Sequence, residues 1–332
     1  MSDIMIAKSS GTMNVKSMTA QWFAPTRIQA TAVRIATLLL IVYATACVQG
    51  FASLQNLSSI IFTTASVGIA ACGLALVTIS GNLFMLSIGA TTSVATIVFV
   101  SLLSFGIFPA VLMTLAMGVV LGLVQGGAIG RFKTNPIITS IAASSVITGL
   151  GSWFSGGRTL TSDVTVHWLG VGYLVPGIPN QIIILAVMLV ATEFFLSRMR
   201  LGREIQLLGT NENTAALSGL RVNRAVMAAY IFASVAAVIS GILIASQASQ
   251  GNLSLGSGLD FSAIAAVLVG GIAINGGQGR IYDAAIGAFF LSIISNILLL
   301  RGYSLDIQLM VKGAVVLFSV LLGALMTRKY RK

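Results

Sequence analysis

Ten apolar runs, most of them near the length that crosses a lipid bilayer, take up most of this chain and leave few folds open to it. They lie at about residues 35–50, 57–80, 84–104, 109–130, 137–153, 180–197, 225–247, 260–277, 281–300 and 307–326. A spanning helix needs about 20 predominantly apolar residues. Only 8% of the 332 residues are charged, against roughly 25% in soluble domains. Such a chain cannot cover a water-facing surface. The expected fold is an all-α polytopic membrane protein of about ten transmembrane helices.

Charge orients the runs. With the N-terminus inside, 16 of the 19 Lys+Arg fall on one side: Lys8, Lys16, Arg27 and Arg34; Arg131 and Lys133; Arg198, Arg200, Arg203, Arg221 and Arg224; Arg280; and Arg328, Lys329, Arg331 and Lys332. Arg158 and Arg301 fall outside, and Lys312 lies within the last run. Cationic loops stay cytoplasmic, so both termini are expected in the cytoplasm. The net charge of +11 then needs no nucleic acid to explain it. Eight spans with re-entrant segments fit the same runs as a second reading.

The resulting organisation is a cytoplasmic tail over 1–34, a transmembrane domain over 35–326 and a short cytoplasmic tail over 327–332. An outer loop spans 155–180 and carries Arg158, Asp163, the single histidine His167, Trp168, Tyr173, Pro176 and Pro179. Cys47 and Cys72 both sit in apolar runs, so neither a disulfide nor a metal site is expected. Leu83–Ala90 echoes Leu259–Ala266. The runs before them cross in opposite directions, which is the pattern an inverted-topology repeat gives.

No phosphate loop, H-E-x-x-H motif or Cys/His cluster occurs, so no enzyme is expected. The glycine-rich stretch Gly270–Arg280 lacks the lysine and Ser/Thr of a phosphate loop and reads as a helix end or break. Polar side chains in spans face the bundle or a wet cavity. Asn82, Ser87, Gln125, Gln247, Asp260, Asn275, Gln278, Asn296 and Lys312 are such groups. Mostly neutral amides and hydroxyls, they suit an uncharged polyhydroxylated solute; helix–helix adhesion is the competing role for each. The lack of mid-span carboxylates argues against a self-sufficient ion-driven carrier, and the lack of a catalytic cluster against a membrane enzyme; a non-transporting scaffold remains a third class.

Once, near the middle, the apolar pattern breaks. Residues 197–224 hold five of the 19 Lys+Arg and two of the eight Asp+Glu. Thr210-Asn211-Glu212-Asn213 offers capping groups ahead of Thr214–Ser218, and Gly219 can end a helix. The segment reads as one or two short helices lying along the membrane face, with a small Ala/Ser surface to offer a partner.

Gly202-Arg203-Glu204-Ile205 followed by Gly209-Thr210-Asn211-Glu212-Asn213-Thr214-Ala215-Ala216-Leu217-Ser218-Gly219-Leu220-Arg221-Val222-Asn223 closely resembles the cytoplasmic coupling loop of ribose-type ABC sugar importer permeases. Gly258–Gly271, Gly276-Gly277-Gln278-Gly279-Arg280, Ile286-Gly287-Ala288 and Val311–Val316 are similar to the same family. The resemblance covers about residues 55–325. It implies a bacterial inner-membrane permease for a sugar or sugar-like solute, with a second copy or a sister permease, a periplasmic solute-binding protein, and ABC ATPase subunits that hold the ATP and Mg. This chain itself would bind no cofactor. Within loop 198–224, the resemblance implies coupling roles for Arg203, Glu204, Leu208, Gly209, Asn211, Glu212, Ala215, Ala216 and Gly219. The pathway candidates are Asn82, Ser87, Gln247, Asp260, Asn275, Gln278 and Asn296. One departure stands out. Where the family has Gly-Gly-Ile-Asp-Leu-Ser-Val-Gly, this chain reads Ser80-Gly81-Asn82-Leu83-Phe84-Met85-Leu86-Ser87-Ile88-Gly89, without the acid. That leaves the solute open among pentoses, hexoses, polyols, autoinducer-2 and nucleosides, with branched-chain amino acids as the further alternative.

Overall fold

A computed structural model describes residues 25–162, 164, 166–175 and 178–330, with the side chains of 25–27, 167, 175 and 323–330 left aside. The tail cations Lys8, Lys16, Arg331 and Lys332, together with Asp163 and Pro176, lie outside the described residues. The side chains of Arg27, His167, Arg328 and Lys329 do so as well.

The long helices are α1 (Pro25–Cys47), α2 (Leu54–Ile79), α3 (Ile88–Leu102), α4 (Ile107–Phe132), α5 (Pro136–Ser155), α7 (Asn180–Arg198), α10 (Val222–Ala248), α12 (Ile281–Leu300) and α13 (Leu305–Tyr330). Shorter ones are α6 (His167–Val171), α8 (Arg200–Thr210), α9 (Glu212–Leu217) and α11 (Leu259–Val269). Two small antiparallel pairs join β1 (Leu160–Thr161) to β4 (Gln250–Gly251), and β2 (Tyr173–Val175) to β3 (Ile178–Pro179). Nine helices among the described residues are long and apolar enough to cross a membrane.

Local sequence sets several boundaries. Ser53 accepts the Asn56 amide and starts α2. Asn135 accepts the Ile137 and Ile138 amides ahead of Pro136, which occupies a position where its missing N–H costs nothing. Gly156 closes α5 in the left-handed conformation.

Contacts between chain ends sort the loops onto two ends of the bundle. At one end, Gln29 Nε2 donates to Leu268 O at 2.9 Å, Arg34 pairs with Asp283, and Lys133 pairs with Glu212. At the other, Arg301 reaches Cys47 O, and Asn180 Nδ2 donates to Trp168 O at 2.6 Å. Successive crossings therefore alternate, and α1 starts at the end where α13 finishes and where α8 and α9 lie.

Two crossings are not continuous helices. The run expected at 260–277 forms helix only over Leu259–Val269. Eleven residues at about 1.5 Å each cover about 17 Å, short of a hydrocarbon core of about 30 Å. The other half of that crossing is the non-helical stretch 249–258, and 270–280 is a glycine loop beyond it. The eighth run is thus shifted to 249–269, beside the nine helices among the described residues that are long and apolar enough to cross a membrane. The third run, expected from residue 84, is non-helical until Ile88, and Leu83 has φ +56°. A long helix, then an irregular segment, then a further helix thus occurs twice: α2, 80–87, α3 and α10, 249–258, α11. The two copies run in opposite senses.

At the centre stands α10. Glycines at every fourth position of α4 (Gly118, Gly122, Gly126 and Gly130) bring the two backbones together: a Cβ at Gly122 would lie 2.5 Å from Ile231 Cα, and one at Gly126 2.8 Å from Met227 Cα. On the opposite side, a Cβ at Gly73 would lie 2.9 Å from Ala233 Cα. Small residues that admit backbone contact are the usual adhesive between membrane helices. By contrast α1, α5 and α13 are mostly uncovered; in the spanning window of α13 only 6% of residues are buried.

Candidate functional site: the α8–α9 element and the broken crossings

The polar interruption folds as two helices. Met199 leaves the α7 geometry, with φ −85° and ψ 151°, and α8 turns back against it. The turn needs Gly202, where a side chain would overlap Phe195 O. Asn211 caps α9 by accepting the Thr214 amide at 3.0 Å. At its far end the Gly219 amide donates to Ala216 O and the Leu220 amide to Ala215 O, with Gly219 at φ +76°. Both terminal features follow the sequence expectation.

The residues that the resemblance marks for coupling divide by burial. Gly202, Ile205, Leu208 and Ala215 face inward, and the last three join the main apolar core. Leu208 and Ala215 are therefore anchors, not surface. Arg203, Asn211, Glu212, Ala216 and Gly219 are exposed, while Glu204 and Gly209 are half-buried. Two exposed residues had not been singled out: Leu207, 55% exposed, and Leu217, 90% exposed. For Leu207 the spacing against Gly202, Ile205 and Leu208 was the signal, because α8 is amphipathic and only one of its faces can enter the core; Leu217 stands at the end of α9. Glu212 pairs with Lys133 at the end of α4.

Behind that surface lies a backbone junction. A side chain at Gly209 would overlap both Ile79 O, at the end of α2, and the Gly277 amide. The Gly277 amide itself donates to Ile79 O at 2.8 Å. A Cβ at Gly276 would lie 2.7 Å from Gly81 Cα. Thus α8 touches, backbone to backbone, the start of the first irregular segment and the loop that follows the second. Nearby, Arg34 donates to Asp283 Oδ1 at 2.5 Å, Glu193 accepts the Ile281 amide at 2.9 Å, and Tyr282 lies between the guanidinium groups of Arg34 and Arg280 at 5.4 and 5.5 Å. Arg280 also donates to Tyr282 Oη, which holds its pKa above the ordinary guanidinium value.

The pathway candidates do not all gather. Asn82 and Asp260 lie on the broken crossings, Asn275 and Gln278 on the loop that follows the second, and Gln247 in the last turn of α10. Asp260 sits in the first turn of α11, its Oδ1 3.2 Å from where a Gly89 Cβ would stand, so it marks the depth at which the two irregular segments meet. Asn82 donates to Ser80 Oγ at 2.8 Å. Asn275 and Gln278 are exposed on the 270–280 loop, and Gln247 is exposed at the opposite end. Ser87 and Asn296 are placed elsewhere. Ser87 is buried and donates to Gln125 Oε1 at 2.6 Å. Asn296 exchanges reciprocal bonds of 2.9 and 2.7 Å with Asn56, joining α2 to α12. Exposed polar groups that sequence reasoning missed are Ser254 and Ser257, and the α5 series Ser145 and Thr148 beside Gly149. Among the described residues no group of three His, Cys, Asp or Glu could hold a metal ion.

The family model for the branched-chain amino acid transport system / permease component matches residues 56–320. Curated relatives include the ribose import permease protein RbsC of Escherichia coli strain K12, 30% identical over 86% of this chain and 91% of the relative. RbsC of Bacillus subtilis strain 168 is 29% identical over 80% and 84%. The D-allose transport system permease protein AlsC of Escherichia coli strain K12 is 27% identical over 73% and 76%. No solved structure matches the chain. Both the match across the bundle and the ribose-permease likeness reach the α8–α9 element and the broken crossings, and nine apolar helices supply the membrane body; the chain is a multi-pass inner-membrane protein and belongs to the branched-chain amino acid transport system / permease component family, among its ribose-type permeases.

Proposed function

We propose that this chain is the membrane subunit of an ABC importer that carries a sugar or sugar-like solute from the periplasm to the cytoplasm. ATP and Mg are held by partner ATPases, and a solute-binding protein delivers the solute on the outer side. The observation that carries this reading is the α8–α9 element. It presents Arg203, Leu207, Glu212 and Leu217 outward while Gly209, on its back, is wedged between the ends of both broken crossings. A partner that moves this helix pair moves the irregular segments with it. The cationic end carrying α8 and α9 is assigned to the cytoplasm, where Lys and Arg are retained.

The solute class rests on the path. Asn82, Gln247, Asp260, Asn275, Gln278, Ser254 and Ser257 offer amides and hydroxyls, with a single carboxylate, and such groups hydrogen-bond hydroxyls without requiring a charge on the solute. Relatives named for ribose and allose support the same class. A second permease, identical or sister, completes the path.

The test is reconstitution with an ABC ATPase and a solute-binding protein of the ribose-importer type from the same organism, followed by uptake of a panel of radiolabelled pentoses, hexoses, nucleosides and leucine. Uptake of one sugar, dependent on ATP and lost when the ATPase is omitted, is the expected result. Ion-gradient-driven uptake by this chain alone would refute the reading.

A further inference from the structure

The outer cap and the α8–α9 element are far apart, and two parts of the chain reach from one to the other. One is α10. The α6 segment rests on its outer end: the Gly170 amide donates to Ser246 Oγ at 2.9 Å, and Ser246 Oγ donates to Val166 O at 2.5 Å. Its inner end packs against α8. Yet α10 is a continuous helix held by backbone contact with α4 on one side and α2 on the other. Close-packed interiors have low compressibility, and α10 has no joint of its own within Val222–Ala248.

The second part is residues 249–280. At its outer end β4 pairs with β1, Leu160 opposite Gly251 and Thr161 opposite Gln250. Below, its backbone lies on α3: Thr96 Oγ1 donates to Asn252 O at 3.1 Å, the Asn252 amide donates to Thr96 Oγ1 at 3.2 Å, and Ser93 Oγ donates to Leu253 O at 2.8 Å. Then α11 continues inward and locks to α12, where side chains at Gly270 or Gly287 would overlap Asp283 O or Ala266 O. At the inner end Gly277 bonds to Ile79 O against Gly209. Unlike α10 this segment has turning points, with Gly258 at φ +77° before α11 and Gly277 at φ +74° after it. Left-handed glycines are positions where a backbone can turn without steric cost.

We propose that residues 249–280 are a jointed strut which links the β1·β4 pair of the outer cap to the Gly209 junction behind α8, so that the state of one end is felt at the other. On the importer reading given above, a solute-binding protein seated on the cap would signal to the ATPase through this strut. The strut itself is a property of this chain and can be tested without either partner.

The test clamps the outer end and reads the inner one. Thr161 is exposed and Gln250 half-buried, and they face each other across an antiparallel pair. Opposed Cβ atoms there are about 4.5–5.5 Å apart, close to disulfide geometry. The full chain carrying Thr161→Cys and Gln250→Cys, with exposed Cys47→Ser, is placed in lipid nanodiscs, and hydrogen exchange is compared between oxidised and reduced forms. The expected result is exchange slowed at least about fivefold in 199–211 and 270–280, the low end of coupling between distant sites. Residues 47–53, a turn packed into a separate apolar cluster with Ile60 and Ile293, should be unchanged. Adding Gly277→Ala, whose Cβ would lie 2.5 Å from Thr210 Oγ1, should abolish the effect in 199–211 while leaving it in 249–258. Equal exchange in 199–211 with the clamp open and closed would overturn the strut, as would slowing that includes 47–53. Neither result bears on ATPase docking, which is read by reconstituted uptake.

Discussion

Asn296→Leu separates adhesion from solute contact at a residue whose sequence position allows both. Asn296 and Asn56 exchange two hydrogen bonds, and Asn56 Nδ2 also donates to Phe51 O at 2.9 Å. Interhelical hydrogen bonds in membranes average about 0.6 kcal/mol each, so the pair contributes about 1.2 kcal/mol. The variant also leaves Asn56 Oδ1 without its donor, at about 1–3 kcal/mol for a buried unsatisfied group, towards the lower end because Asn56 is only half-buried. A loss of about 2 kcal/mol is expected in reversible unfolding by SDS in mixed micelles. Asn56→Leu should cost a similar amount. The double variant Asn56→Leu/Asn296→Leu should be less destabilised than the sum by about 1 kcal/mol, because no stranded amide remains. Uptake per folded molecule should stay near wild type in all three. Unchanged stability with a tenfold fall in uptake for Asn296→Leu would show that the amide serves the solute and that the pairing argument is wrong.

Gly209→Ala forces a methyl group into the Ile79 carbonyl oxygen and the Gly277 amide; overpacking of about 1–3 kcal/mol should lower the midpoint of thermal unfolding even with no ATPase present. Leu217→Ser, at a residue 90% exposed, should leave stability within about 0.5 kcal/mol and reduce co-purification with the ATPase severalfold. Exchanging Lys133 and Glu212 should change stability by less than about 1 kcal/mol, since both side chains are 57% exposed and exposed pairs contribute little. Asp283→Ala removes the acceptor of the Arg34 bond, and because Arg34 is 41% exposed the loss should fall near the low end of about 1–3 kcal/mol in the same SDS titration.

Much of the body was legible from length and hydropathy, because a helix is the simplest structure that satisfies its own backbone in lipid. The breaks were less so. Residues 260–277 are mostly apolar, and nothing in hydropathy marks where α11 stops. The stop comes from Gly270 and Gly271, and from the neighbours that Gly276 and Gly277 must approach; those neighbours, Gly81 and Gly209, are remote in sequence. The α4 glycines were visible at four-residue spacing, but their partner α10 was not. The capping of α9 by Asn211 is local and was readable. Which members of the coupling segment point inward depends on where α7 ends and turns at Met199, and so Leu208 and Ala215 were grouped with residues that are in fact exposed. Asn296 and Gln247 are equally polar in the sequence; only the fold gives one a partner on α2 and leaves the other open.

The irregular stretch 249–258 has a consequence for assembly. Non-helical backbone at membrane depth is tolerated only where protein buries it or where it lines a wet cavity, since hydrocarbon offers no hydrogen bonds. Its inner side is satisfied by Ser93, Thr96 and the Asn252 turn, in which Asn252 Oδ1 accepts the Ser254 and Leu255 amides at 3.0 and 3.1 Å. Its outer side is open: Ser254, Ser257 and Gly258 are exposed, and Phe261 is 69% exposed. A chain alone in lipid would press these polar groups against acyl tails. The face is therefore expected to meet a second permease across a water-filled path. Ser257→Cys, in the Cys47→Ser background and in native membranes, should react with a small charged thiosulfonate and should form a cross-linked pair with a short bifunctional reagent, whereas Leu309→Cys on the uncovered α13 face should do neither. If Ser257→Cys resisted the charged reagent in membranes while Leu309→Cys reacted, the broken crossing would be facing lipid, and the path would have to be sought inside a single chain.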